Sequence, residues 1–144
     1  MLSANPVILL VEDSYPDRKL IKEILKEHKL ETQLYEVEDG SDALKFLHNE
    51  APFEDAPKPQ LIILDLNLIR VHGYEVLPII KNDPVLKSIP VIVFTSADDA
   101  ELEYQLYKDQ ASCYIVKPGQ LDEYMQVVES LGHFWGNLAQ LPKS

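Results

Sequence analysis

Four of the five apolar runs in this chain end in groups suited to phosphate chemistry. Val7 to Val11 runs into Glu12 and Asp13, Leu61 to Leu64 into Asp65, Val91 to Phe94 into Thr95 and Ser96, and Cys113 to Val116 into Lys117-Pro118. A carboxylate at the end of a buried strand is poorly solvated unless it has a cation or a chemical task, and in open α/β sheets ligands bind at that edge. Three clustered carboxylates raise one another's pKa unless a cation lies among them. Mg²⁺ suits such a set, because it prefers oxygen ligands and keeps several waters. With the Thr95 hydroxyl and the Lys117 ammonium, the set would form a cradle for a phosphoryl group. Asp65 closes the most central run and is the candidate nucleophile; attack by its carboxylate would leave an aspartyl phosphate. Each residue alone has a plainer reading, since Asp caps turns, Thr ends strands and Lys is usually a solvated cation. The joint pattern carries the inference, because every group stands at the same end of its run.

The elements that must position these groups follow from apolar periodicity. Leu61 to Leu64 shows no polar alternation, which suits a strand covered on both faces of a parallel sheet. Val7 to Val11, Gln33 to Val37, Val91 to Phe94 and Cys113 to Val116 supply four more strands. Ser14-Tyr15-Pro16-Asp17 reads as a capping-box-like helix start. The helix is expected to reach about His28, with Leu20, Ile21, Ile24 and Leu25 inward and Arg18, Lys19, Glu23 and Lys26 toward water. Asp39-Gly40 signals a turn, and Ser41 is the expected cap of a short helix holding Ala43, Leu44, Phe46 and Leu47. Asn49 to Gln60, with Pro52, Pro57 and Pro59, is a long stiff connection. A third helix is expected from about Tyr74 to Lys81, with Pro78 awkward inside it. A fourth helix is expected from Asp98 or Asp99 to about Lys108, and a last one from about Asp122 to Leu131. Strand and helix thus alternate five times, which predicts an α/β doubly wound parallel sheet.

Composition bounds the function classes. The chain has 144 residues, a length that suggests one domain. Its formal net charge of −11 argues against nucleic acid and anionic membranes as partners. The single cysteine, Cys113, excludes an intrachain disulfide and fits a reducing, cytoplasmic setting. The opening MLSANPVILLVED lacks a basic start and meets Glu12 and Asp13 early, which argues against a signal peptide; no stretch is apolar enough to span a bilayer.

On these residues the chain resembles the receiver domain of two-component response regulators over about residues 5 to 130. The resemblance implies a flavodoxin-like five-stranded sheet of order 2-1-3-4-5. It also implies that a sensor histidine kinase donates a phosphoryl group to Asp65. Asp13 and Asp65 would bind Mg²⁺ directly with the backbone carbonyl of Asn67, and Glu12 would act mostly through water. Lys117 would pair with a phosphate oxygen. Thr95 would hydrogen-bond the phosphate and move with Tyr114, the switch aromatic, biasing the surface of the fourth helix, fifth strand and fifth helix. The Lys117–Pro118 bond would be cis. Such a chain is not an enzyme beyond its own phosphorylation and dephosphorylation. Two positions depart from the family pattern: Ile69 where a proline is common, and His72 where an Asp commonly precedes the Gly.

A narrower resemblance is to the small response regulators that partner cyanobacterial phytochromes. It rests on the Pro-rich connection before Asp65, the stretch DPVLKSIPVIVFTSADD and the tail HFWGNLAQLPKS. It implies a light-controlled kinase whose bilin sits on the partner. Residues 131–144 read as an apolar extension after a receiver domain of residues 1–130. Phe134, Trp135, Leu138 and Leu141 either fold back on the domain or are buried between two subunits; the resemblance favours a homodimer with Phe134, Trp135 and Leu138 at its interface. No output domain is expected after the receiver, so the signal would leave by protein contact or onward phosphotransfer. The competing readings are a receiver-like binding module that is never phosphorylated, a metal-dependent phosphatase and a flavin-binding fold. The complete Asp13, Asp65, Thr95 and Lys117 set opposes the first. The phosphatase would need a D-x-D motif on the first strand, where this chain has EDSYPD.

Overall fold

The structure is a computed structural model and describes residues 6–27, 33–66, 73–96, 105 and 107–134. Its strands are β1 (Val7–Val11), β2 (Gln33–Val37), β3 (Leu61–Leu64), β4 (Val91–Thr95) and β5 (Cys113–Val116). Among the described residues its helices are α1 (Tyr15–Glu27), α2 (Gly40–Leu47), α3 (Gly73–Lys81) and α4 (Leu121–His133). The helix expected before Lys108 falls mostly outside the described residues. All strand pairs are parallel, in the order β2-β1-β3-β4-β5, as the resemblance implied.

The missing polar alternation in β3 has a direct physical cause. Ile62 and Leu64 join a core with Leu9, Val11, Val91 and Val93 under α2 and α3. Leu61 and Ile63 face the other way, joining Ile8, Leu10, Ile92 and Phe94 under α1 and α4. Side chains that alternate across a strand are apolar at every position when both sheet faces are covered.

Pro78 does lie inside α3. It removes one backbone donor and costs about 3 kcal/mol. Val76, Leu77 and Ile80 are all fully buried, and side chains of this size contribute roughly 1.5–3 kcal/mol each on burial. Packing therefore outweighs the break.

Three local expectations are corrected. The cap of α2 is Asp39, whose Oδ1 accepts the Asp42 N–H at 2.8 Å, so the helix begins at Gly40, before Ser41. Arg18 does not face water: its side chain is 11% exposed, because Nη1 donates to the Glu12 carbonyl at 2.9 Å and Nη2 to Glu38. Among the described residues the cis peptide is Ala51–Pro52, and Lys117–Pro118 is trans, the lower-energy isomer when no packing selects the other.

Replacing Asp39 with Ala is expected to cost about 1 kcal/mol in urea unfolding, and Ser41→Ala less than about 0.5 kcal/mol. The opposite ranking would return the cap to Ser41.

Candidate functional site

Parallel pairing puts the strand C-termini at one rim, and the register sets their level. Val11 pairs with Val37 and Leu64, and Thr95 with Val116. One residue further on, each chain makes one more bond to its neighbour. Glu12 N–H donates to Val37 carbonyl at 3.1 Å, Asp65 N–H to Val11 carbonyl at 3.0 Å, and Lys117 N–H to Thr95 carbonyl at 2.7 Å. The backbone at the rim is thereby held, and Glu12, Asp65 and Thr95 are all buried.

Lys117 organises the side chains. Its Nζ donates to Glu12 Oε1 at 2.5 Å, Asp17 Oδ2 at 2.9 Å and Asp65 Oδ2 at 3.2 Å. Phe94 lies beneath the ammonium, its ring centroid 5.7 Å away. Carboxylate oxygens of Glu12, Asp13 and Asp65 all lie within 4.8 Å of one another. Three clustered carboxylates with partly buried oxygens are the donor set that a hard divalent cation takes.

The charge balance is uneven, since four acids face one ammonium. Burial, with the hydrogen bond and charge of Asp65, pushes the Glu12 carboxyl up to about 8, against the pull of Lys117. Burial pulls Lys117 down, but the bond and charge of Glu12, the bond to Asp17 and the charge of Asp65 together hold it above the ordinary lysine value. The ammonium thus stays charged while a proton is retained among the acids.

The structure brings Glu12, Asp13, Asp65, Thr95 and Lys117 to one rim. Tyr114 is half-buried on β5 and packs against the core under α2 and α3; its N–H donates to Tyr107 Oη at 3.3 Å. Asn67, Ile69, His72, Trp135, Leu138 and Leu141 lie outside the described residues. Phe134 follows α4 and is 50% exposed.

Two neighbours of the site were missed from sequence. Asp17 looked like the reciprocal half of a capping box. Its N–H does bond Ser14 Oγ, at 3.4 Å, but Ser14 N–H bonds Glu12 Oε2 instead, and the Asp17 carboxylate goes to Lys117. Its place in the first turn of α1, directly after the strand end that carries Glu12 and Asp13, was the available signal. Tyr124 of α4 is 7% exposed and packs its ring at a tilt against Phe94, centroids 5.4 Å apart. Nothing in its own stretch of sequence points to the rim.

The family model described as response regulator receiver domain matches residues 8–129. The response regulator Rcp1 of Synechocystis sp. is 40% identical over 144 residues, covering 96% of both chains. Two solved structures have a TM-score of 0.93 and 38% identity. One is the Mn²⁺-bound form of Rcp1, covering 96% of this chain and 99% of that one. The other is the phosphorylated cyanobacterial phytochrome response regulator RcpA, covering 97% of this chain and 100% of that one.

A carboxyl with a raised folded pKa binds its proton more tightly in the fold than in the unfolded chain. Its contribution to stability is present below the ordinary value of 4.5 and is lost as pH rises through about 8. In metal-free buffer the urea midpoint should therefore fall between pH 5 and 8, and fall less in Glu12→Gln. An equal decline in both proteins would remove Glu12 as the cause.

Proposed function

This chain belongs to the response regulator receiver domain family, and on that premise we propose that it accepts a phosphoryl group on Asp65 from a sensor histidine kinase. The observation that carries the reading is the Lys117 ammonium held against both Glu12 and Asp65, beside Asp13. One Asp65 oxygen attacks phosphorus as the bond to the phosphohistidine nitrogen breaks, and the imidazole leaves with that electron pair. Such transfer places charge on the phosphoryl oxygens, so catalysis consists of positioning and charge neutralisation. Lys117 supplies a fixed cation for one oxygen. Thr95, buried at the end of β4, is the hydroxyl for another and moves together with Tyr114. Asp13, Asp65, Glu12 and the Asn67 backbone carbonyl would hold Mg²⁺, which supplies further charge neutralisation when bound.

The kinase we propose is a phytochrome, supported by the likeness to Rcp1 and RcpA. A cleft of about 480 Å³ lined by Pro16, Asp17, Lys117, Pro118, Leu121 and Tyr124 opens beside the Lys117 side chain. The protein would act in the cytoplasm, without nucleic acid or membrane contact; its charge supports that, and among the described residues no helix is long and apolar enough to cross a membrane. Residues 131–144 would serve a homodimer, with Phe134, Trp135 and Leu138 at the interface. Half-exposed Phe134 at the end of α4 supports this.

Incubation with acetyl phosphate and Mg²⁺, or with a phosphorylated phytochrome kinase, should add one phosphoryl group by intact mass, and Asp65→Asn should add none. Equal labelling of Asp65→Asn would reject Asp65 as acceptor, and no labelling of either would favour a receiver-like binding module. Deleting residues 134 to 144 should lower the sedimenting mass toward monomer, and an unchanged mass would reject the dimer role.

A further inference from the structure

Glu12, Asp13 and Asp65 bring their carboxylates together as the donor set for a cation, and Asp65 is also the acceptor. Asp17 belongs to neither role. It lies outside that donor set, and it is carried by the first turn of α1, not by a strand end. Yet its Oδ2 accepts from Lys117 Nζ at 2.9 Å, against 3.2 Å for Asp65 Oδ2. An acid in the first turn also favours the helix dipole. Any acid facing water would serve that purpose, however, and it would not need the ammonium of the site.

Sharing one ammonium ties Asp17 to the acceptor in two ways. The ammonium has three donors, and Glu12 and Asp17 engage it together with Asp65. As Lys117 leans toward an anion on Asp65, its bond to Asp17 draws it back. Asp17 and Asp65 also bond the same nitrogen, so the two carboxylates are near neighbours, and like charges so placed repel. A phosphoryl group adds negative oxygens to that neighbourhood, whereas a divalent cation is attracted to it. The Asp17 side chain is 30% exposed and lines the cleft beside Lys117, so water screens its charge in part and the effect is moderate.

We propose that Asp17 is a positioning residue that restrains phosphorylation of Asp65: it draws the Lys117 ammonium back from the acceptor, and its charge opposes the phosphoryl group while favouring the cation. This rests on the receiver reading of the site. Asp17 touches no reacting atom and stays bonded to Lys117 throughout, so no proton moves and the acceptor chemistry is unchanged. Removing its charge improves the site for an anion and impairs it for a cation. Loss of an acid that only supported the fold would impair both.

The test measures two affinities by calorimetry in the full chain and its variants. One is for Mg²⁺ alone; the other, in saturating Mg²⁺, is for beryllium fluoride, an analogue of the phosphoryl group. Asp17→Asn should bind beryllium fluoride roughly threefold more tightly and Mg²⁺ roughly threefold more weakly, and acetyl phosphate should label it faster by a similar factor. Asp17→Ala should shift both affinities in the same directions, and it serves where the Asn variant fails to fold. Asp17→Glu keeps the charge and should stay near the unaltered chain. Glu54→Gln, at an exposed acid of the connection before β3, should change neither affinity, which removes net charge as the cause. Weaker binding of both ligands in Asp17→Asn marks a structural acid and overturns the restraint, as do two unchanged affinities. If the unaltered chain binds beryllium fluoride no better than Asp65→Asn, the receiver reading itself fails; if it does bind and Asp17→Asn binds no more tightly, the restraint alone fails.

Discussion

A single ammonium among acids sets the terms for the rest of this molecule. Lys117 is 9% exposed at its side chain and meets three carboxylates. Buried ion pairs rarely stabilise a fold more than apolar packing would, whereas removing one partner leaves uncompensated charge. The cluster is thus better understood as a device for binding anionic and cationic ligands than as a source of stability. Its surplus of acid is visible in the raised Glu12 carboxyl, and it suits a site whose working state includes a divalent cation.

Holding four acids and a lysine together requires a rigid frame, and the doubly covered sheet supplies it. Fully apolar β3, and β4 up to Thr95, are buried on both faces, so a slip of register would break two cores at once. The bonds that continue past the strand ends fix Glu12, Asp65 and Lys117 by their backbones. Arg18 adds a further tie. It reaches from α1 to the Glu12 carbonyl, to Glu36 within β2 and to Glu38 just beyond it, linking helix, rim and edge strand. Where the frame is looser, change is easier: β5 is half-buried along its length, and it carries Tyr114 directly before the Ile115-Val116-Lys117 approach to the site.

The connection between α2 and β3 shows how a long loop can stay ordered without regular structure. Asn49 adopts a left-handed conformation, φ 54°, which Asn tolerates better than most residues. Its amide donates to the carbonyls of Phe53 and Ala56. Phe53 packs on Phe46, which packs on Tyr35, each pair 5.5 Å apart. The connection is therefore fastened to the core beneath it, and β3 enters the sheet from a fixed point.

The sequence by itself determined the strands, their parallel direction and the identity of the rim residues Glu12, Asp13, Asp65, Thr95 and Lys117, while the order of the strands came from the family resemblance. Unbroken apolar runs are a local signal, and a polar group that ends each one is legible without knowing its neighbours. The tertiary structure alone decided which side chains share the ammonium. Asp17 resembled a cap because its spacing from Ser14 is local, while its real partner lies 100 residues away. Arg18 resembled a solvated helix residue because periodicity registers apolar faces and not a carbonyl waiting at a strand end. Asp39 took the cap from Ser41 because backbone geometry, not residue preference, chooses between adjacent candidates. Tyr124 met the site only through the packing of α4 on Phe94. Hydrophobic burial repeats along the chain and can be read from it, whereas hydrogen bonds at the rim depend on distances between residues that only folding brings together.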